Sequence, residues 1–166
     1  MEILVDTREQ NELLFSSVDG VTVKWEHLPT GDYGARHKDG TMDKTVVERK
    51  SIGDLFTSFS GENYLREKEK IKRAKESGLH YILAIEGTVY DIRRGHTYRK
   101  GGEEFESKKS GISQVRQILT LLRRGDFKEV WWCRDRTEMA FLIQEYFLTH
   151  ERMKDLPKPS ETSSSL

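Results

Sequence analysis

Glu48, Arg49 and Lys50 follow one another at the end of the stretch Thr45-Val46-Val47, and they pose the chemical question. On a strand, alternation puts Glu48 and Lys50 on one face. A carboxylate and an amine fixed side by side on a rigid edge can hold a divalent cation and orient or deprotonate a neighbouring water. Mg²⁺ takes oxygen ligands in octahedral geometry, from one or two carboxylates together with waters and substrate phosphate, so another acid is needed. Asp32, 16 residues upstream in Gly31-Asp32-Tyr33, is one candidate, and Asp6 and Glu9 in Asp6-Thr7-Arg8-Glu9 are others. Two carboxylates about 4 Å apart repel by about 4 kcal/mol at an effective dielectric of about 20. Convergence of three or four acids therefore calls for a cation or for raised pKa values. Each piece also fits a structural role. Glu-x-Lys on a strand is commonly a surface ion pair, Ser51-x-x-Asp54 fits a helix capping box, and Asp6 can cap a turn.

These residues need strands to hold them. Met1 to Thr7 reads as a strand running into a polar loop, followed by a short helical stretch from Glu12 to Ser17. Val21 to Leu28 alternates as a second strand, Pro29-Thr30-Gly31-Asp32 is turn chemistry, and Asp39-Gly40 marks a hairpin before a strand over Lys44 to Lys50. Helices are expected over Ser51 to Phe59 and Glu62 to Ser77, the latter stopped by Gly78. His80 to Glu86 is apolar enough for a strand covered on both faces. Arg93 to Gly111 is polar and Gly-rich and reads as a long exposed loop or loose hairpin. Ile112, Val115, Ile118, Leu119 and Leu122 form one helical stripe, Lys128 to Cys133 is a strand, and Thr137 or Glu138 to His150 is a broadly apolar helix. Strands alternating with helices predict one α/β domain, a mixed central sheet flanked by helices, over residues 1–152. The Ser-rich end, residues 153–166, is expected to be disordered.

A length of 166 residues suits one compact domain, and 35% apolar side chains suffice for its core. There is no apolar run of membrane-spanning length and no leader pattern at Met1 to Asp6, so a soluble, intracellular protein is expected. The single cysteine, Cys133, excludes an intrachain disulfide framework, and the five histidines show no zinc-ligand spacing. The formal charge is zero, yet residues 1–48 carry −5, residues 49–128 carry +7 and residues 129–166 carry −2. A basic middle beside an acidic start suits a phosphate-binding footprint next to a carboxylate cluster, although charge runs are commonly solvated helix faces.

Taken in order, Asp6-Thr7-Arg8-Glu9, Gly31-Asp32-Tyr33 and Glu48-Arg49-Lys50-Ser51-Ile52-Gly53-Asp54 resemble the GDx(n)ERKx(3)D signature of the XPF/Mus/Hef structure-specific DNA endonucleases. Tyr64 to Lys68 leading into a helix and then the strand from Tyr81 to Ile85 follows the same family order. The resemblance covers roughly residues 3 to 150 and implies a restriction-endonuclease-like PD-(D/E)XK fold. It implies that Asp32 and Glu48 are ligands of Mg²⁺ or Mn²⁺, with Glu9 and Asp6 close by and the Arg49 carbonyl contributing. The Arg49 side chain would hold a neighbouring carboxylate or a phosphate, and Lys50 would position the attacking water. Asp54 matches the last motif position, where a catalytic and a capping role are both open. Arg8 would meet substrate phosphate or an internal acid. The implied reaction is in-line hydrolysis of a DNA phosphodiester, leaving 5′-phosphate and 3′-hydroxyl ends, in repair, recombination or replication.

For the substrate, Arg93, Arg94, His96, Tyr98, Arg99 and Lys100 form a dense basic group, with Lys108 and Lys109 following. Such a segment could grip phosphates and stack on an unpaired base, as branched or flapped DNA requires, or be an ordinary exposed loop. The charges of the helix from Arg66 to Lys75 alternate in sign and read more as a solvated face. No tandem helix-hairpin-helix module, membrane contact or small-molecule cofactor is expected. The last helix is apolar beyond one stripe, so either both its faces are buried within the monomer or one forms a homodimer or pairs with another nuclease-like subunit, and the resemblance favours the dimer. Trp131 and Trp132 point to opposite strand faces, one suited to the core and the other to an interface. A scaffold paralogue without activity and a nuclease indifferent to DNA structure are the alternatives.

Overall fold

The computed structural model describes residues 1–10, 13–16, 20–100, 103–106, 110–154 and 156, of which 98–100 and 103–105 are described by backbone alone. Six strands form one mixed sheet: β1 (Glu2–Asp6), β2 (Thr22–Glu26), β3 (Tyr33–Arg36), β4 (Thr45–Ser51), β5 (His80–Glu86) and β8 (Glu129–Cys133), in the order β2-β1-β3-β4-β5-β8. The pairs β1/β2, β4/β5 and β5/β8 are parallel, while β3 runs antiparallel to both β1 and β4. The helices are α1 (Ile52–Ser58), α2 (Gly61–Glu76), α3 (Val89–Arg93), α4 (Gly111–Arg123) and α5 (Arg136–Lys154). A separate hairpin, β6 (Thr97–Lys100) with β7 (Glu103–Glu106), occupies the segment expected as a loop or loose hairpin.

Alternation along the central strands sorts their side chains between two cores. Val47, Ile82 and Ala84 face α5 with Ile3, Val5, Tyr33 and Phe147, whereas Val46, Tyr81, Leu83 and Ile85 face α1, α2 and α4 with Leu55, Ile71 and Ile118. The same alternation sends Glu48 and Lys50 toward α2, and Arg49 toward the α5 side.

Several boundaries differ from the sequence reading. Residues 13–16 form no helix, and the other positions of that expected helix, 12 and 17, lie outside the described residues. β3 escaped detection because Gly34 and Ala35 leave only four residues with weak alternation, and α3 because it is five residues long. A Thr88–Asp91 capping box fixes the start of α3. The expected α4 stripe is turned: Gly111, Gln114, Ile118 and Leu121 are buried, while Ile112 and Leu119 are about half exposed. The close approach of α4 to α3 sets that rotation, since a Cβ on Gly111 would lie 1.8 Å from the Ile92 carbonyl oxygen. α5 continues to Lys154, beyond the expected end of the domain, and the Ser-rich residues 157–166 lie outside the described residues. Most of the apolar surface of α5 is used within the chain, with Met139, Ala140, Ile143 and Phe147 buried and Phe141 exposed. Trp131 and Trp132 do take opposite faces, each half-buried on the last strand of the sheet. No helix among the described residues is long and apolar enough to cross a membrane.

Candidate active site

Three neighbouring chain segments meet at the C-terminal end of β4. The Asp6 amide donates to the Asp32 carbonyl at 2.8 Å, and the Asp32 amide donates to the Val47 carbonyl at 2.8 Å. The Arg49 amide then donates to Asp32 Oδ2 at 2.8 Å. Gly31 makes this approach possible: its φ is +78°, and a Cβ there would stand 2.9 Å from Val46 Cβ. The Gly-Asp pair is thus a backbone device that lays a carboxylate against the end of β4.

On the α2 side, Glu48 is buried, and its two oxygens are held by different ammonium groups. Lys50 donates to Oε1 at 2.8 Å, and Lys70 of α2 donates to Oε2 at 2.5 Å. Glu67, one helical turn before Lys70, places Oε2 3.6 Å from the Lys50 ammonium, while its buried Oε1 has no hydrogen-bond partner. Burial would raise the Glu48 carboxyl, but the two lysines outweigh it and hold the pKa below the usual range. Asp32 is pushed up to about 7, first by burial and then by the Glu48 charge. Glu67 is raised for the same two reasons.

On the other face, Arg49 bridges Glu9 and Glu86, reaching Glu9 through Nε and Nη2 at 3.1 and 3.2 Å and Glu86 through Nη1 at 3.2 Å. Its side chain holds neighbouring carboxylates, one of the two roles expected. Arg8 meets an internal acid rather than standing free: Nε and Nη2 fork onto Asp6 at 2.6 and 3.0 Å, and Nη2 also donates to the Leu28 carbonyl. Asp6 further accepts from the Leu28 and Arg8 amides. Burial opposes ionisation of Asp6, but these donors prevail and bring its pKa down to about 2.

The expected ligand set is accordingly narrowed. Asp6 lies outside the recess of about 220 Å³ lined by Arg8, Glu9, Gln10, Asp32, Glu48, Arg49, Lys50 and Asp54, and its oxygens are committed to Arg8 and Leu28. Glu9 lines that recess but is held by Arg49. Asp54 lines it from an exposed position while acting in the α1 cap, where Ser51 Oγ accepts from the Asp54 amide at 3.1 Å and donates to Asp54 Oδ2 at 2.7 Å. Of the expected DNA contacts, Arg94 is an exposed residue at the end of α3, and Tyr98, Arg99 and Lys100 lie on β6, where only the backbone is described. Lys70, Glu67 and Glu86 were not singled out from the sequence. The available signal was the spacing of Glu67, Lys70, Ile71 and Ala74, which marks one face of α2.

No group of three or more Asp, Glu, His or Cys in a metal-holding arrangement occurs among the described residues. The donor set nonetheless suits a hard divalent cation of the Mg²⁺ type, which needs only one or two carboxylates. Asp32, raised by burial and by Glu48, and Glu48, which already holds positive charge on both oxygens, are such a pair.

Comparison with known proteins places the chain in a family and matches its fold. Residues 5–146 match the ERCC4 domain family. Among solved structures, the chain is similar to XPF from Aeropyrum pernix with a TM-score of 0.61 and 22% identity, covering 93% of this chain and 68% of that one. A second structure, XPF from Aeropyrum pernix in complex with DNA, gives a TM-score of 0.60 at 22% identity, covering 96% and 68%. None of the curated proteins compared matches. The shared architecture is the restriction-endonuclease-like nuclease fold expected from the sequence.

Proposed function

Because the chain belongs to the ERCC4 domain family, a family of structure-specific DNA endonucleases, we propose that it hydrolyses phosphodiester bonds in branched, flapped or junction DNA with Mg²⁺ or Mn²⁺. The observation that carries this reading is the convergence of Asp32, Glu48 and Lys50 at the end of β4, in a recess open to solvent. Asp32, Glu48 and the Arg49 carbonyl would hold the cation, which supplies Lewis acidity toward the scissile phosphate.

The chain's own groups supply the rest. Lys50 lines the recess beside Glu48, where its ammonium can orient a water and offset charge developing on the phosphoryl oxygens. Arg49, held between Glu9 and Glu86, keeps the strand end rigid so that the carboxylates stay aligned. Products with 5′-phosphate and 3′-hydroxyl ends are expected. The DNA complex of the similar Aeropyrum pernix protein supports a nucleic-acid substrate here. Arg94 and the β6/β7 hairpin, with the basic residues on β6, would meet the backbone away from the centre. Engagement of six to ten phosphates would lower affinity roughly 10³- to 10⁵-fold between 50 and 200 mM salt. Residues 1–152 would form the nuclease domain of an intracellular protein acting on DNA in repair or recombination. Exposed Phe141 of α5 and half-buried Trp131, on the α5 side of the sheet, would lie in a homodimer interface.

Linear duplex, 3′-flap, fork and four-way junction DNA, incubated with Mg²⁺ and the wild type or Glu48→Gln, test the reading. Branched substrates should be cut by the wild type alone. Binding without cutting would make the chain a scaffold, and equal cutting of linear duplex would remove the structure preference.

A further inference from the structure

The strongest unassigned feature beside the centre is Lys70. It comes from α2, outside the β4 motif, and its ammonium occupies Glu48 Oε2 while Lys50 occupies Oε1. With an ammonium already against each oxygen of buried Glu48, an incoming divalent cation meets two positive charges and must compete with them for the carboxylate. A divalent ion on Glu48 is repelled by both ammonium groups unless one moves away, and Lys70 is the freer of the two, since Lys50 is more enclosed and also has Glu67 beside it.

The structure also offers Lys70 another position. A recess of about 270 Å³ is lined by Lys70 itself together with Pro29, Thr30, Arg73, Ser77 and Leu79. Thr30 is 7% exposed, and its Oγ1 is buried without a hydrogen-bond partner. Such an orphaned hydroxyl is costly unless some state of the protein satisfies it. An ammonium bringing three donors on a flexible four-carbon stem suits that role.

We propose that Lys70 is the counter-ion built into the cation site and has two seats: Glu48 Oε2 when no divalent cation is bound, and the Thr30 recess when one is. Lys70 is thus a positioning residue that competes with the cation for Glu48. It protects the metal-free protein from an uncompensated buried carboxylate and raises the cation concentration needed to load the site. The inference rests on the reading of Glu48 as a cation ligand.

The test is a Mn²⁺ titration without DNA, with free ion read by electron paramagnetic resonance, alongside the metal-free melting temperature. Lys70→Met should lower the melting temperature yet tighten Mn²⁺ binding roughly tenfold, within the usual range for two coupled ligands. A lysine with only a structural role would lower the melting temperature without tightening Mn²⁺ binding, and that result would overturn the proposal. Thr30→Val should loosen Mn²⁺ roughly threefold in the wild type but not in Lys70→Met, the signature of a shared element. An unchanged affinity in the wild-type background would remove the second seat. Should Lys70→Met not fold, acetylation of the wild-type amines read by peptide mass spectrometry replaces it. Lys70 reactivity should then change with Mn²⁺ while that of Lys72 does not, and equal reactivity with and without Mn²⁺ refutes the exchange. If Glu48→Gln binds Mn²⁺ like the wild type, the reading of the centre itself fails. If it loses binding while Lys70→Met matches the wild type, only the lysine exchange fails.

Discussion

The two ends of β4 carry charged clusters built on opposite principles. At the N-terminal end, buried His37 lies between Glu151 and Asp43, with Nδ1 2.7 Å from Glu151 Oε2 and Nε2 3.1 Å from Asp43 Oδ2. His150 adds Nδ1 at 2.8 Å from Asp43 Oδ2, and the Thr45 amide donates to Asp43 Oδ1 at 2.7 Å. Every acid there is satisfied inside the chain, and both Asp43 and Glu151 are lowered despite burial, through their histidine and amide donors. At the C-terminal end, burial and Glu48 raise Asp32 to about 7, and Glu67 keeps an orphaned oxygen. The first cluster pins the end of α5 to the β3–β4 hairpin. The second keeps a residual demand for positive charge, the state expected of a site that awaits a ligand.

The largest separation of the two ends should come from Lys50→Ala. Removing a group that orients the attacking water typically costs 10²- to 10⁴-fold in rate per folded molecule, and because Lys50 also pairs with buried Glu48 some stability is lost with it. Single-turnover cleavage with circular dichroism as the folding control measures it, and intact activity would strip Lys50 of its role. His37→Ala is the mirror experiment. It should leave the cleavage rate per folded molecule unchanged and cost about 3 kcal/mol in urea unfolding, because Asp43 and Glu151 lose the group between them. A neutral outcome would show that His37 adds nothing to the fold.

The clusters also differ in how readily they can be read from sequence. The motif on β4 was legible because strand alternation is a local rule, and Glu48 and Lys50 do meet as it requires. Gly31-Asp32 was legible for a similar reason, since a glycine turn next to an acid carries its own geometry. The role of Lys70 was not. Six basic side chains crowd residues 66–75, and only the docking of α2 on β4 and β5 turns this one inward while Lys68 and Lys72 stay exposed. The assignment of Glu9 to Arg49, 40 residues apart, likewise depends on strand pairing across the sheet. The histidine cluster was wholly hidden, as His37, Asp43 and Glu151 are separated by up to 114 residues.

pH sharpens the contrast at intermediate magnitude. The folded pKa of Asp32, about 7, lies above its unfolded value. Its contribution to stability is therefore full below about pH 4 and is lost as pH rises through about 7. Asp43 and Glu151 have lowered folded values, so their contribution is present near neutrality and disappears as pH falls below the usual carboxylate range. In metal-free protein, Asp32→Asn should thus be more stable than the wild type at pH 8 by about 2 kcal/mol, with the gain vanishing near pH 4. Urea midpoints across pH measure this. A constant difference would mean that the Asp32 carboxyl is not raised.

The smallest effect is expected at Asp54, the residue for which motif and cap compete. Its amide and carboxylate both engage Ser51 Oγ, and α1 starts there, directly after β4. Asp54→Asn keeps an oxygen acceptor for the Ser51 hydroxyl and removes only the charge. If capping is its work, stability should change by less than about 0.5 kcal/mol and cleavage by less than a factor of about two, since an uncharged residue caps about as well. Ser51→Ala should then cost more, about 1 kcal/mol, by removing the acceptor of the Asp54 amide. If Asp54→Asn instead slows cleavage a hundredfold with unchanged stability, the carboxylate belongs to the chemistry. The unmet demand for charge at this end of β4 would then extend beyond Asp32 and Glu48 onto α1.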